Sequence, residues 1–123
     1  MMKKLLALLL ALALFLPACA MADEVVNVFN WEDYIDSDVI RQFEEETGIK
    51  VNYMRFSTNE DMVVQVEASP SSFDVCFPSE YIVERMLQKG LLAELNYENI
   101  PNAKYLMESL RNPSYDPDNA HSM

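Results

Sequence analysis

Two short clusters that combine aromatic rings with acidic groups contain the residue types best suited to ligand binding. The first, Asn-Trp-Glu-Asp-Tyr at residues 30–34, follows the apolar run 25–29. The second, Pro-Ser-Glu-Tyr at residues 78–81, follows the apolar run 73–77. Carboxylates bind ammonium groups, and aromatic faces attract cations. The two clusters therefore suit a ligand with cationic ends and an apolar middle, such as a polyamine.

The first cluster offers one indole, one phenol and a choice of carboxylates. Trp31 is the only tryptophan of the chain, and tryptophan is the best ring for cation–π contact. Tyr34 adds a phenol, and Asp33 or Glu32 could supply the carboxylate. The alternative for Trp31 is a partly buried core position without a ligand.

The second cluster has competing structural interpretations. Ser79 could offer a hydroxyl acceptor to a ligand, or it could cap a following helix. Glu80 is an ordinary acidic residue for the first turn of a helix, and Tyr81 could pack on the sheet. A helix N-terminus also disfavours a cation, so a ligand there needs a nearby carboxylate.

The elements that must position both clusters are predicted from periodicity and capping signals. Strands are predicted at 25–29, 49–56 and 73–77, and helices at 37–47, 57–67, 79–89 and 103–110. Asp36 or Ser37 can cap the first helix, and Ser57 with Glu60 fits a capping box for the second. Gly48 and Gly90 can end the first and third helices. This order predicts an α/β fold with a mostly parallel sheet flanked by helices and right-handed crossovers.

The parallel topology is what joins the two clusters. Ligands of such sheets bind beyond the carboxyl ends of the strands. Each cluster comes directly after the carboxyl end of a predicted strand, so both are expected at the same edge of the sheet. The helical faces expected in the core are Val39, Ile40 and Phe43; Met62, Val63 and Val66; and Ile82, Val83, Met86 and Leu87. Cys76 is expected to be a small buried apolar residue.

The first 22 residues are predicted to be an export signal. Lys3 and Lys4 precede an apolar run at 5–16 that is too short to span a bilayer. Residues 16–19 resemble a lipobox in which Cys19 carries the lipid, while residues 20–22 fit ordinary cleavage before Asp23. Both alternatives place the protein in the periplasm or on the outer face of the cytoplasmic membrane.

Composition favours a solute-binding protein over an enzyme or a nucleic-acid-binding protein. The formal net charge of −11 repels nucleic acid. His121 is the only histidine, so no metal site is predicted, and no cofactor is expected. No Gly-x-Ser-x-Gly elbow is present, and Asp116 with Asp118 lacks the glycine and glutamate of a calcium loop.

These motifs together resemble the amino-terminal part of bacterial spermidine/putrescine-binding proteins, the extracytoplasmic receptors of polyamine ABC importers. The segments that carry the resemblance are 29–34, 43–51, 57–60, 73–81 and 115–119. Asn-Trp-x-x-Tyr paired with Pro-Ser-x-Tyr is its most specific part. The resemblance implies that Trp31, Asp33, Tyr34, Ser79 and Tyr81 line a polyamine pocket from one lobe. His121 occupies a position where the family usually has a tyrosine.

The resemblance also implies a larger assembly than this sequence contains. The family has a two-lobed, type II periplasmic-binding-protein fold, and two lobes need about 300 residues. Residues 23–123 are therefore expected to be an incomplete N-terminal lobe. The implied partners are a polyamine, the missing second lobe with the main acidic ligands, and the permease subunits of the importer. Two alternatives remain: a receptor for another solute, such as a sugar or an iron complex, or an acidic envelope protein that binds a protein partner.

Overall fold

The computed structural model describes residues 24–123, which contain three strands and three α-helices. In chain order these are β1 (Val25–Trp31), α1 (Ser37–Thr47), β2 (Lys50–Phe56), α2 (Asn59–Ala68), β3 (Val75–Cys76) and α3 (Glu80–Gln88). Short 3-10 helices occupy Pro70–Ser72, Tyr97–Asn99, Pro101–Tyr105 and Glu108–Leu110. Within residues 24–123, no helix has the length and apolar character needed to cross a bilayer. The predicted signal peptide and Cys19 lie outside the described residues.

The sheet is parallel, in the order β2-β1-β3. Strand β1 pairs with β2 from Val25 opposite Lys50 to Trp31 opposite Phe56. On its other side β1 pairs with β3 through Phe29 opposite Cys76. The predicted α/β fold with a parallel sheet is confirmed, and the carboxyl ends of all three strands lie at one edge.

The hydrophobic core lies where α2 and α3 meet the sheet. It is formed by seven buried side chains: Phe29, Phe56, Met62, Val63, Val66, Ile82 and Met86. The Phe29 ring stacks on Phe73 at 4.7 Å between centroids and meets Phe56 edge-on at 5.0 Å. The apolar faces predicted for α2 and α3 are confirmed, except that Leu87 is only half-buried.

Helix α1 has the predicted bounds but not the predicted burial. Asp36 caps it by accepting from the Asp38 N–H, and Gly48 ends it with a positive φ of 74°. However, Val39 remains 58% exposed and Phe43 40% exposed, and no residue of α1 is buried. Periodicity correctly predicted an apolar face, but it cannot show whether another element covers that face.

The last turn of α1 is bound to the following strand through a carboxylate. Glu44 is half-buried and accepts hydrogen bonds from the Val51 N–H at 2.8 Å and from Lys50 at 3.3 Å. The Val51 hydrogen bond lowers the pKa of Glu44 and, together with smaller contributions from Lys50, outweighs the opposing effect of desolvation. Glu44 thereby fastens α1 to the start of β2.

The start of α2 corrects the predicted capping box. The N-cap is Thr58, whose hydroxyl accepts from the Asp61 N–H at 3.1 Å. Ser57, the predicted cap, instead donates to Glu32 at 2.8 Å. The spacing between Thr58 and Asp61 satisfies the same capping pattern one residue later, so sequence alone could not choose between the two.

Two predicted elements are shorter or different in the structure. Strand β3 covers only Val75–Cys76 of the predicted 73–77, because the Asp74 carboxylate binds the backbone and side chain of Asn27. The predicted helix 103–110 is two 3-10 helices separated by extended residues. Arg111 donates to the carbonyls of Leu106 and Lys104, which stabilises the interruption.

Cys76 behaves as the predicted small apolar residue. It is half-buried and packs against the core. Burial raises the pKa of its thiol to about 11. The thiol is therefore uncharged at neutral pH and poorly nucleophilic.

Candidate functional site

The aromatic part of the site lies at the carboxyl end of β1. The half-buried Trp31 ring packs 4.6 Å from the Phe56 ring and 6.0 Å from the Tyr34 ring, measured between centroids. The buried side chain of Asn30 accepts from the Trp31 N–H, and the Tyr53 hydroxyl donates to the Trp31 carbonyl. These bonds fix the backbone that carries the indole. Tyr34 is 71% exposed, so its ring is available to a ligand.

The two carboxylates beside Trp31 have different environments. Glu32 accepts a hydrogen bond from Ser57, which follows β2. Asp33 is exposed, and across residues 24–123 no side chain or backbone group forms a hydrogen bond or ion pair with it. An ammonium group could therefore bind Asp33 without displacing an internal bond, whereas at Glu32 it would compete with Ser57.

The second part of the site follows β3 and is organised by a residue that follows β2. Asn59, only 4% exposed, donates to Ser79 Oγ and to Tyr81 Oη, both at 3.0 Å. Its Oδ1 accepts from the Ser79 N–H at 3.1 Å. Tyr81 Oη also makes a long hydrogen bond of 3.4 Å to Glu60. Tyr81 remains 55% exposed.

Ser79 resolves one of the alternatives left open by sequence. It precedes α3 at the N-cap position but makes no capping bond with its side chain. Its hydroxyl instead faces Asn59. The hydroxyl is thus not consumed by the helix and keeps one acceptor lone pair for another group.

The structure brings the five predicted residues to the same edge of the sheet in two groups. Trp31, Asp33 and Tyr34 follow β1, whereas Ser79 and Tyr81 follow β3. The segment after β2 contacts both groups, since Ser57 donates to Glu32 and Asn59 donates to Ser79 and Tyr81. Among residues 24–123, no hydrogen bond or ring–ring contact joins Trp31 or Tyr34 directly to Ser79 or Tyr81.

Asn59 was missed as a site residue by sequence reasoning. It lies inside the segment 57–60, which the sequence predicts only as a helix cap. The signal that could have identified it is position, since it follows the carboxyl end of β2 just as the two clusters follow β1 and β3.

A surface cavity beside Tyr81 is lined by two carboxylates and a second tyrosine ring. Tyr81 lines a surface cavity of about 310 Å³ together with Glu80, Glu84, Pro113, Ser114 and Tyr115. A second surface cavity, of about 290 Å³, is lined by residues that include Arg55, Ser57 and Asp61. Over residues 24–123, no three His, Cys, Asp or Glu side chains converge in a way that could hold a metal ion.

Asp116, considered above for calcium, is a structural anchor of the C-terminal loop. Its carboxylate accepts from the backbone N–H groups of Ala120, His121 and Ser122 and from the Ser122 hydroxyl. Desolvation raises the pKa of Asp116, but these donors outweigh it, so the pKa lies below its ordinary value. His121 Nδ1 is buried 3.8 Å from Asp116 and has no hydrogen-bond partner.

Comparison with known sequences supports the resemblance carried by these segments. The family described as hypothetical lipoproteins (MG045 family) matches residues 1–115. The putrescine-binding periplasmic protein SpuD of Pseudomonas aeruginosa is 36% identical over 98% of this chain and 34% of its own length. The putrescine-binding periplasmic protein PotF of Escherichia coli is 36% identical over 85% of this chain and 29% of its own length. The chain thus spans about a third of the length of the curated relatives it matches.

Solved structures give the same result for the fold. A spermidine/putrescine ABC transporter protein of Listeria monocytogenes, described as putative, superposes with a TM-score of 0.78 at 41% identity. The match covers 81% of this chain and 31% of that one. The TpPotD lipoprotein of Treponema pallidum superposes with a TM-score of 0.74 at 32% identity, over 79% of this chain and 31% of that one. The predicted resemblance to polyamine-binding receptors is confirmed, since the curated relatives are named as putrescine-binding periplasmic proteins.

Proposed function

We propose that this chain binds a polyamine at the carboxyl edge of its sheet. The chain belongs to the MG045 family of hypothetical lipoproteins and is similar to polyamine-binding receptors. Its role is that of an extracytoplasmic receptor in an ABC importer, and it is not an enzyme. The observation that carries the proposal is that two aromatic groups, one after β1 and one after β3, lie at the same edge of the sheet and are both hydrogen-bonded to the segment that follows β2.

The proposed ligand residues are Trp31, Asp33, Tyr34, Ser79 and Tyr81. Asp33 binds one ammonium group, since it is exposed and forms no hydrogen bond with residues 24–123. The Trp31 and Tyr34 rings accept the adjacent methylene groups and add cation–π attraction. Ser79 and Tyr81 offer hydroxyl oxygens to the next amine, which a donor-only ligand requires.

The exposure of the site supports a prediction about affinity. Tyr34 and Tyr81 are 71% and 55% exposed, and ion pairs in such surroundings are worth about 0–1 kcal/mol each. A few contacts of that size add up to a dissociation constant of about 1 mM or weaker. Tighter binding requires a second lobe that covers the ligand and supplies further carboxylates.

The proposal includes a location and protein partners. Export is followed by anchoring through a lipid on Cys19, or by release of a soluble form starting at Asp23, and the lipoprotein family favours the anchor. The partners are a polyamine, a second lobe and the permease subunits of the importer, with no nucleic acid. Mass spectrometry of the mature protein from membranes distinguishes the two processing routes, since only the anchored form carries diacylglycerol on Cys19.

Titration of the purified chain with putrescine and spermidine at constant ionic strength tests the proposal. Trp31, the sole tryptophan, reports binding by fluorescence. We expect saturation near millimolar ligand, no response to the uncharged analogue 1,4-butanediol, and none to a sugar or a ferric complex. A response to those last ligands in place of the amines would identify a receptor for another solute.

Two charge-neutralising variants sharpen the titration. Asp33→Asn should weaken putrescine binding severalfold, because it removes the carboxylate proposed to bind an amine. Asp38→Asn is the matched control, since Asp38 is an exposed carboxylate on α1 paired with Arg41. Equal effects of the two variants would mean that only net charge matters and would contradict a specific site.

A further inference from the structure

Asn59 makes three hydrogen bonds whose directions are fixed by simple donor and acceptor rules. The Ser79 backbone N–H can only donate, so the Asn59 atom facing it must be the carbonyl Oδ1. The amide nitrogen Nδ2 must then face Ser79 Oγ and Tyr81 Oη, at 3.0 Å each. Its two hydrogens are thus both used, one on each hydroxyl oxygen.

This arrangement determines the directions of the O–H bonds and free lone pairs of the two hydroxyls. Each oxygen accepts one hydrogen from Asn59, so its own O–H must point elsewhere and one lone pair remains free. The Tyr81 O–H is directed to Glu60, at 3.4 Å. Donation to a carboxylate polarises a hydroxyl and makes its oxygen a better acceptor. Asn59 and Glu60 together orient Tyr81 toward an incoming donor.

Asn59 is not needed to start its own helix. Thr58 is the N-cap of α2 and its hydroxyl makes the capping bond. The Asn59 side chain instead reaches across to the segment after β3, over 20 residues away in sequence. Its burial, at 4% exposure, also keeps it from touching a ligand directly.

We infer that Asn59 is the positioning residue of the polyamine site, holding Ser79 and Tyr81 with free oxygen lone pairs directed to the ligand's ammonium group. The inference rests on the proposed function, and assigns Asn59 an indirect role through the two hydroxyls. Replacing Asn59 releases both hydroxyls to rotate, so each loses its fixed acceptor direction.

A double-mutant comparison followed by NMR chemical-shift titration with spermidine tests this role. In the wild-type background, Asn59→Ala should weaken binding about fivefold, the effect of one typical hydrogen bond. In a Ser79→Ala/Tyr81→Phe background, the same change should cause no further loss, because the two hydroxyls that Asn59 positions are gone. The bond from the Ser79 backbone N–H to Asn59 is broken in both backgrounds and so does not distinguish them. Asn52→Ala is the matched control. Asn52 also donates to a side chain, that of Asn27, from within β2, and its loss should leave affinity unchanged.

The possible results separate three interpretations. An equal loss in both backgrounds would mean that Asn59 acts through the fold and would overturn the inference. Normal binding by Asn59→Ala would overturn it while the proposed function stands. A wild-type chain that binds no polyamine would overturn the proposed function and this inference together. If Asn59→Ala does not fold, Asn59→Ser gives the same comparison, because its single hydroxyl hydrogen cannot serve both partners.

Discussion

Residues 25–88 and residues 91–123 are stabilised in different ways. In the first region, regular strands and helices bury a contiguous apolar core centred on Phe29, Met62 and Ile82. The second region contains 3-10 turns but no strand or α-helix. It is held by two buried polar side chains, Asp116 and Asn119, which bind backbone groups of the surrounding loop. The first region depends on apolar area, and the second on a small number of hydrogen bonds.

The difference has a consequence for how each region responds to change. Apolar packing is spread over many contacts and is insensitive to pH. A loop built around one carboxylate depends on the charge state of that group. Variants in the two regions should therefore differ in both the size and the pH dependence of their effects.

The largest expected effect comes from the apolar core. Phe29→Ala should lower the free energy of unfolding by about 3–5 kcal/mol, because it leaves a cavity beneath the sheet. Phe43→Ala on α1 is the matched control and should cost less than about 1 kcal/mol, since Phe43 is already 40% exposed. Urea unfolding followed by circular dichroism measures both. Equal losses would show that the apolar face of α1 is covered in solution, contrary to the structure.

Asp116 should give the next largest effect, in the polar region. Asp116→Ala leaves buried N–H groups of the loop without an acceptor, which should cost at least about 2 kcal/mol of unfolding free energy. Thermal unfolding at pH 7 detects this loss. A loss below about 0.5 kcal/mol would mean that the loop contributes little to global stability.

The pH dependence of Asp116 has a definite sign. Its folded pKa is lowered, so its stabilising contribution is present above the unfolded pKa of about 3.9. That contribution is lost as the pH falls through the folded value. The stability difference between wild type and Asp116→Asn should therefore shrink on acidification below about pH 4. Phe29→Leu, which changes no charge, should keep the wild-type pH profile.

The smallest expected effect concerns which residue is the N-cap of α2. Thr58→Ala should cost about 1 kcal/mol, the usual value of an N-cap. Ser57→Ala should cost much less, because Ser57 is exposed and binds only the side chain of Glu32. Chemical denaturation of the two variants compares them directly. A larger loss for Ser57→Ala would restore the capping box predicted from sequence.

The sequence correctly predicted those features of the fold that a single pattern of apolar or capping residues determines. The bounds of α1, the core face Met62–Val63–Val66 and the parallel order followed from periodicity and capping. The burial of Val39 and Phe43 was wrongly predicted, since an apolar stripe does not show what covers it. The expected helix 103–110 failed because bonds from Arg111 to backbone carbonyls compete with helical geometry.

The location of the proposed site residues was predictable from sequence, but the hydrogen bonds between them were not. Strand order placed Trp31, Tyr34, Ser79 and Tyr81 at one edge, and the structure agrees on that location. The bonds of Asn59 could not be inferred, because they join segments whose relative rotation depends on the packed core. The choice between Asp33 and Glu32 likewise depends on one contact with Ser57.

The raised pKa of Cys76 makes this residue a natural reporter of unfolding. With a pKa of about 11, the native thiol is almost fully protonated at pH 8 and alkylates slowly. An unfolded chain exposes an ordinary cysteine with a pKa of about 8.5, which reacts readily. In a Cys19→Ala background, the alkylation rate of Cys76 would thus measure how often the sheet opens.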